Sequence, residues 1–175
     1  MAVEVQWTPS DADHVAAARL IFGRALQRPR TWRMTAVIVL IYAGLAFLLS
    51  SDIASPILRS LCVILWMLVG VVVGSLCVAI NYFLLPYSVK RLRRQDKFDR
   101  GAWQWRWTDT GIENHNSQSS VTIAWDQLLA WVAGKDSLLF YISEVKILFV
   151  ATHALTRDQI DAIAALAESH GVKRW

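Results

Sequence analysis

Two long apolar stretches dominate the hydrophobic pattern of this chain. The first runs from Met34 to Leu49 and the second from Ile57 to Leu85, each with few polar interruptions. A helix of about 20 apolar residues crosses the hydrocarbon core of a bilayer, so the pattern predicts membrane-spanning helices at residues 31–51 and 57–85. The segment Ser50–Pro56 between them has turn chemistry and no basic residue. Residues 31–86 are therefore predicted to form a transmembrane helical hairpin.

Before the hairpin, the pattern changes twice. Val3, Val5 and Trp7 alternate with polar residues, which predicts a short β-strand. From Asp11 the apolar residues follow helical spacing as far as Leu26. Residues 1–30 are therefore predicted to form an N-terminal strand and an amphipathic juxtamembrane helix, which would lie along the inner leaflet of the membrane.

After the hairpin, a basic linker at residues 87–100 leads into a region of short alternating segments. Residues 101–175 are predicted to form about six strands followed by a helix that begins at Thr156 and ends near Gly171. With the N-terminal strand, this gives about seven strands and one C-terminal helix. The predicted fold is a membrane α+β protein in which the two-helix hairpin is inserted in a small antiparallel β-sandwich of the pleckstrin-homology-like type.

The positive charge is concentrated beside the two spans, although the net charge of the chain is only +4. The basic residues before the first span are Arg24, Arg28, Arg30 and Arg33, and those after the second are Lys90, Arg91, Arg93, Arg94 and Lys97. The positive-inside rule then places both termini of a two-pass protein in the cytoplasm. The same side chains are candidates for contact with anionic lipid headgroups. Nucleic-acid binding is not expected, because this basic run adjoins a membrane helix rather than covering a folded face.

Two further groups of residues are candidates for contacts. Gly70 and Gly74 form a small-xxx-small pair in the second span, which favours close helix packing within the hairpin or, alternatively, a homodimer. Trp103, Trp105 and Trp107 share one face of a predicted strand. These indoles either fill the core of the sandwich or form an exposed surface for a partner.

Catalytic and cofactor chemistry has little support in the sequence. Four histidines are present, and none has the spacing of a metal site. Both cysteines, Cys62 and Cys77, lie within the second span, and the chain lacks nucleotide-binding and nucleophile-elbow motifs. The sequence therefore predicts a protein that is not an enzyme and binds no cofactor or metal.

The order of these elements resembles the YcxB-like family of bacterial membrane proteins. The resemblance lies in Trp7-Thr-Pro-Ser-Asp11, in the hairpin, and in the C-terminal segments Trp107–Ile112, Val121–Trp125 and Leu138–Val150. It implies a pleckstrin-homology-like domain anchored in the inner membrane. The chain departs from the family at Ala151-Thr-His153, where other members often have Pro-Lys-Arg.

Two functional hypotheses follow. In the first, the chain is a non-enzymatic protein of the bacterial inner membrane whose cytoplasmic domain binds a protein partner or anionic lipid. In the second, it is an immunity protein that neutralises a toxin acting at that membrane. Both imply contact with lipid and with a protein partner, and a homodimer is compatible with either.

Overall fold

A computed structural model of the chain describes residues 3–51, 55–95 and 101–175. Within these residues the chain forms two compact units. One unit combines the residues up to Leu20 with those from Pro86 onward, and the other contains Ile21–Leu85. The first unit is thus discontinuous in sequence, as expected for a hairpin inserted after an N-terminal strand.

The first unit contains a four-stranded antiparallel sheet. Its strands, in spatial order, are β1 (Val3–Trp7), β2 (Trp103–Trp107), β3 (Gly111–His115) and β4 (Ser120–Ala124). β1 pairs with β2 along its whole length, with Val3 opposite Trp107 and Trp7 opposite Trp103. Because strand side chains alternate between faces, this register places the apolar residues of both strands on the same face.

A three-stranded antiparallel sheet completes the strands of this unit. It consists of β5 (Ala130–Ala133), β6 (Ser137–Tyr141) and β7 (Ile147–Ala151), with β6 in the centre. Every residue of β6 is buried. Its almost uninterrupted apolar sequence is typical of a strand that is covered on both faces.

Both sheets contribute to one hydrophobic core. The Trp107 ring stacks on Trp105, with centroids 5.6 Å apart, and lies 6.4 Å from the ring of Phe140 in the second sheet. Trp125 belongs to the same core but begins a 3-10 turn after β4 rather than ending the strand, and its indole N–H donates to the Thr108 carbonyl at 2.9 Å. The predicted strands are otherwise confirmed.

Helix α4 (Arg157–Ser169) packs on this core through Ile163 and Ala167. Its start is stabilised by a capping box between Thr156 and Gln159, in which each side chain bonds the backbone of the other residue. Its end is set by Gly171, whose φ of 73° is readily adopted only by glycine. The predicted C-terminal helix is therefore confirmed.

Three further helices connect the two halves of the first unit. They are α1 (Asp11–Gln27), α2 (Pro29–Leu49) and α3 (Pro56–Gln95). α1 ends at Gln27, because Pro29 disfavours helical geometry in the residue before it, Arg28. Pro29 itself then begins α2. Both α2 and α3 are long and apolar enough to cross a membrane.

α3 extends further than the sequence predicted. Pro86 follows the predicted end of the span at Leu85, yet the helix continues through it to Gln95. The first part of the predicted basic linker is therefore helical. Residues 96–100 of that linker, and residues 52–54 of the predicted turn, lie outside the described residues.

The close pairing of β3 with β4 predicts that Gly111→Ala destabilises the first unit, which is called the β-rich unit below. An added Cβ would collide with the carbonyl oxygen of Ile123, which belongs to the opposing strand and cannot move freely. We expect a loss of about 1–3 kcal/mol in the free energy of unfolding, measured by tryptophan fluorescence during denaturation in a mild detergent. Gly23→Ala is the control, because a Cβ there meets no atom within 4 Å. An equal response of the two variants would contradict the register of β3 and β4.

Candidate functional site

The basic side chains at the end of α3 divide into two groups. Arg93 is half-buried and donates to the Asp11 carboxylate at 2.6 Å and to the Pro9 carbonyl oxygen. Lys90, Arg91 and Arg94 are exposed, and no ion pair holds them among the described residues. Arg93 therefore serves the structure of the first unit, whereas the other three side chains lie exposed on its surface.

The basic residues that precede the first span are placed less uniformly. Arg24 and Arg28 are half-buried and Arg33 is exposed. Arg24 lies in the last turn of α1, where a positive charge interacts favourably with the helix dipole. The side chain of Arg30, and Lys97 as a whole, lie outside the described residues.

The start of α1 contains a polar cluster that the sequence did not predict. The buried Asp13 carboxylate accepts hydrogen bonds from the Ser10 backbone N–H at 2.8 Å and from the Trp7 indole at 3.4 Å. Its other oxygen lies 2.8 Å from Nε2 of His153, which follows β7. The Ser10 hydroxyl in turn accepts from the Asp13 backbone N–H, so Ser10 caps the helix. One carboxylate thus connects β1, α1 and the turn after β7.

These hydrogen bonds control the protonation of Asp13. Burial by itself raises the pKa of a carboxyl group. The bonds from Ser10, His153 and Trp7 outweigh burial and lower the pKa from 3.8 to about 2. Asp13 is therefore a carboxylate throughout the physiological pH range.

Aromatic and aliphatic contacts reinforce this attachment of α1. The rings of Trp7 and His14 both pack edge-to-face with Phe149 in β7, with centroids 5.9 and 4.8 Å away. The Leu20 side chain packs where a Cβ on Gly134 would otherwise lie. The first half of α1 thus packs on the second sheet, and the predicted position of this helix beside the membrane stays a prediction.

Of the two alternatives for the tryptophans of β2, packing in the core applies to Trp105 and Trp107. Trp105 and Trp107 are 2% and 0% exposed, and only Trp103 is half-buried. The reason is that β1 and β3 flank β2 and the second sheet covers its inner face, so the indoles fill the core. Alternation along a strand placed them correctly on one face but did not identify what covers that face.

The two glycines of the predicted helix-packing pair differ in their surroundings. A Cβ on Gly70 would lie 3.8 Å from the Tyr42 ring of α2, whereas one on Gly74 would meet nothing within 4 Å. Gly70 therefore lies against the other helix of the hairpin. Gly74 faces open space, which leaves that position available to another helix or to lipid.

Arg59, a basic residue in the first turn of α3, is held by the end of α2. Its guanidinium lies 3.7 Å from the centroid of the Phe47 ring and donates to the Phe47 carbonyl at 3.1 Å. Carbonyls in the last turn of a helix lack helical partners, and a basic side chain can satisfy them. Arg59 is thus a capping residue of the hairpin.

Comparison with known proteins gives one match. Residues 107–167 match the family model of the YcxB-like proteins. The match confirms the resemblance for the segment from the last residue of β2 into α4. No curated protein and no solved structure matches the chain significantly. Among the described residues, no group of three or more His, Cys, Asp or Glu is arranged to hold a metal ion.

The Asp13 cluster predicts a specific dependence of stability on pH. The folded pKa of about 2 is below the ordinary 3.8, so the stabilisation is complete above about pH 4 and is lost as the pH falls through 2. This corresponds to about 2 kcal/mol. We expect Asp13→Asn to remove this contribution, as measured by denaturation in a non-ionic detergent between pH 2 and 7. The exposed Asp161→Asn should retain it; an unchanged acid profile in Asp13→Asn would refute the assignment.

Proposed function

We propose that the chain is a two-pass protein of the bacterial inner membrane that holds a pleckstrin-homology-like domain at the cytoplasmic leaflet. The domain acts as an interaction module that binds a protein partner, and the basic end of α3 contacts anionic lipid headgroups. The YcxB-like match supports the module, and the hairpin supports the anchor.

The observation that carries this proposal is the exposure of the hairpin. In the most apolar 18-residue stretch of each helix, the protein buries 6% of the residues of α2 and 0% of those of α3. Leaving one large apolar side chain in water costs about 1.5–3 kcal/mol. Tens of such side chains far exceed the total stability of a domain, which is about 5–15 kcal/mol. An apolar medium outside the chain must therefore cover them.

Lipid fits the geometry of these helices. At 1.5 Å per residue, about 20 residues span the core of a bilayer. The contacts of Phe47 with Arg59 and of Phe22 with Tyr82 indicate that the hairpin returns towards its starting side. Basic residues cluster at the open end of the hairpin, which favours a cytoplasmic location for both termini.

The architecture of the β-rich unit supports the module. Seven short strands in two antiparallel sheets share one core with the C-terminal helix, as in pleckstrin-homology-like domains. Since the indoles fill that core, the surfaces available for binding are strand edges and the outer face of α4. These surfaces suit protein recognition, because backbone groups on a strand edge can bind an extended partner segment.

The exposed charges at the end of α3 support the lipid contact. Lys90, Arg91 and Arg94 are exposed in the last turns of α3, after its apolar part. A basic side chain beside an anionic leaflet contributes about 1 kcal/mol of attraction. Three of them would favour anionic over zwitterionic lipid by several kcal/mol at low salt.

Membrane insertion predicts that Cys77 is shielded although the chain does not bury it. Cys77 is exposed on the protein surface, so only an external apolar medium can exclude a membrane-impermeant maleimide. In a Cys62→Ser background, we expect little labelling of Cys77 in inverted membrane vesicles and full labelling after denaturation in SDS. The reaction is measured by mass spectrometry of the intact chain.

The matched control for this experiment uses a loop residue. Val145 is 91% exposed in the turn between β6 and β7. Val145→Cys, in a background without Cys62 and Cys77, should react in inverted vesicles and remain unlabelled in intact cells. Rapid labelling of Cys77 in membranes would refute the anchor, and labelling of the Val145→Cys variant from outside the cell would refute the topology.

The lipid contact predicts that Lys90→Gln, Arg91→Gln and Arg94→Gln together weaken the preference for anionic lipid. Lipid that binds the folded state stabilises it by mass action. We expect phosphatidylglycerol to raise the Tm of the detergent-solubilised wild type more than phosphatidylcholine does, and the triple variant to lose this difference. The variant with Lys135, Lys146 and Arg157 changed to Gln carries the same change in charge on the β-rich unit. Equal losses in both triple variants would show a general charge effect and contradict the site.

A further inference from the structure

An outer strand of a sheet has backbone N–H and C=O groups on one side that no neighbouring strand bonds. In the β-rich unit, other parts of the chain bond such groups on two outer strands, β1 and β5. On β1, the outward Glu4 carbonyl accepts from Nε2 of Gln159 in α4. On β5, the N–H of Trp131 donates to the Lys173 carbonyl at 2.9 Å, and its carbonyl accepts from the N–H of Trp175 at 3.0 Å. The chain thus uses α4 and its C-terminal segment to cover these edges.

Among the described residues, the outer edge of β4 has no such cover except at its end, where the Gln127 side chain accepts from the Ala124 N–H at 3.4 Å. The bond from the Asn116 N–H to the Ser119 carbonyl fixes which β4 residues face β3. In an antiparallel ladder the hydrogen-bonded pairs alternate, so Val121 and Ile123 point their backbone groups at β3. Ser120 and Thr122 therefore direct their N–H and C=O groups away from the sheet, and no backbone group of the described residues bonds them.

The side chains of β4 leave this edge open to another strand. The sequence Ser-Val-Thr-Ile-Ala contains no charge and no proline, the features that usually protect an edge from pairing. Val121 is 36% exposed at the middle of the open segment. Both the backbone and this side chain therefore favour a neighbouring strand of similar character.

We propose that the occupant of this edge is β4 of a second copy of the chain, paired antiparallel with Val121 on the two-fold axis. In this register Ser120 of each copy lies opposite Thr122 of the other. Both residues direct their free groups outward, so the two copies form four hydrogen bonds. The two Val121 side chains meet in a non-hydrogen-bonded pair, where side chains approach most closely. The contact is isologous and closes as a dimer.

Electrostatics allow this self-pairing. The nearest carboxylate on the strand beside β4 is Glu113, directly opposite Thr122. The two Glu113 residues would be separated by at least three strand spacings, about 14 Å. This exceeds the Debye length of about 8 Å at physiological ionic strength, so their repulsion is largely screened.

The contact between the two strands is small, so the dimer would form in the membrane and not between freely diffusing chains. Two five-residue strands bury far less than the roughly 1,200–2,000 Å² that is typical of stable interfaces between soluble proteins. The inference therefore rests on the proposed membrane anchor, which confines both copies to one plane in one orientation and raises their effective concentration.

Cysteine cross-linking of the full chain in lipid vesicles tests this register. Val121→Cys, in a Cys62→Ser, Cys77→Ser background, places two thiols across a pair whose Cα atoms are about 4.5 Å apart, within the range for a disulfide. Under mild oxidation we expect a dimer yield several-fold above that of Val145→Cys. Adding Thr122→Pro should reduce the yield to the control level. The Thr122 N–H that is lost bonds no group in the part of the chain that the structure describes, so we expect the fold to be retained, which circular dichroism checks.

Each outcome decides the question. Equal yields from Val121→Cys and Val145→Cys, a yield unaffected by Thr122→Pro, or a product in cell membranes that contains a different protein would overturn the dimer. Flotation of the same vesicles separates failure of the dimer from failure of the membrane anchor. Chains that float without the specific cross-link refute the dimer alone. Chains that fail to float refute the anchor, and the Val121→Cys yield in detergent solution at matched concentration then decides the dimer.

Discussion

The pairing of β1 with β2 is the contact on which the rest of the structure depends. Without it, the first sheet loses an outer strand and the core loses Val3 and Trp7. The pairing joins two segments separated by the whole hairpin, yet loop closure costs only about 0.6 kcal/mol for each doubling of loop length. Helices that return the chain towards its starting side reduce even this cost. Formation of the hairpin and closure of the sheet therefore favour each other.

Two polar contacts then fix where the helices leave and rejoin the β-rich unit. Asp13 attaches the start of α1 to the turn after β7, and Arg93 attaches the end of α3 to the residues before α1. The two contacts differ in energy. Asp13 is buried, and loss of a partner there leaves a desolvated charge, whereas the more exposed pair of Arg93 and Asp11 is screened by water. The start of α1 is thus the more strongly specified junction.

The sequence predicted the elements better than their environments. Strands of alternating residues and apolar helices were found because their periodicity is local, and the capping box at Thr156 marked α4. The pairing of Asp13 with His153 could not be found, since 140 residues separate them. The predicted span ended at Leu85, where the apolar run stops, but the helix continues through Pro86 to Gln95. The alternation of the tryptophans in β2 left burial and exposure open, because their face is covered by the second sheet, about which no pattern in β2 carries information.

The basic residues at the end of α3 differ in their contacts, and this difference connects the fold to the proposed function. Along one helix end, Arg93 is occupied by internal contacts while Lys90, Arg91 and Arg94 remain exposed. A membrane changes what such small sites must achieve. With the hairpin inserted as proposed, anchoring would supply orientation and proximity, and a few charges or one strand edge would need to contribute only a few kcal/mol to select a lipid or a partner. The same groups on a freely diffusing domain would bind too weakly, because they would also have to offset the loss of translational and rotational freedom.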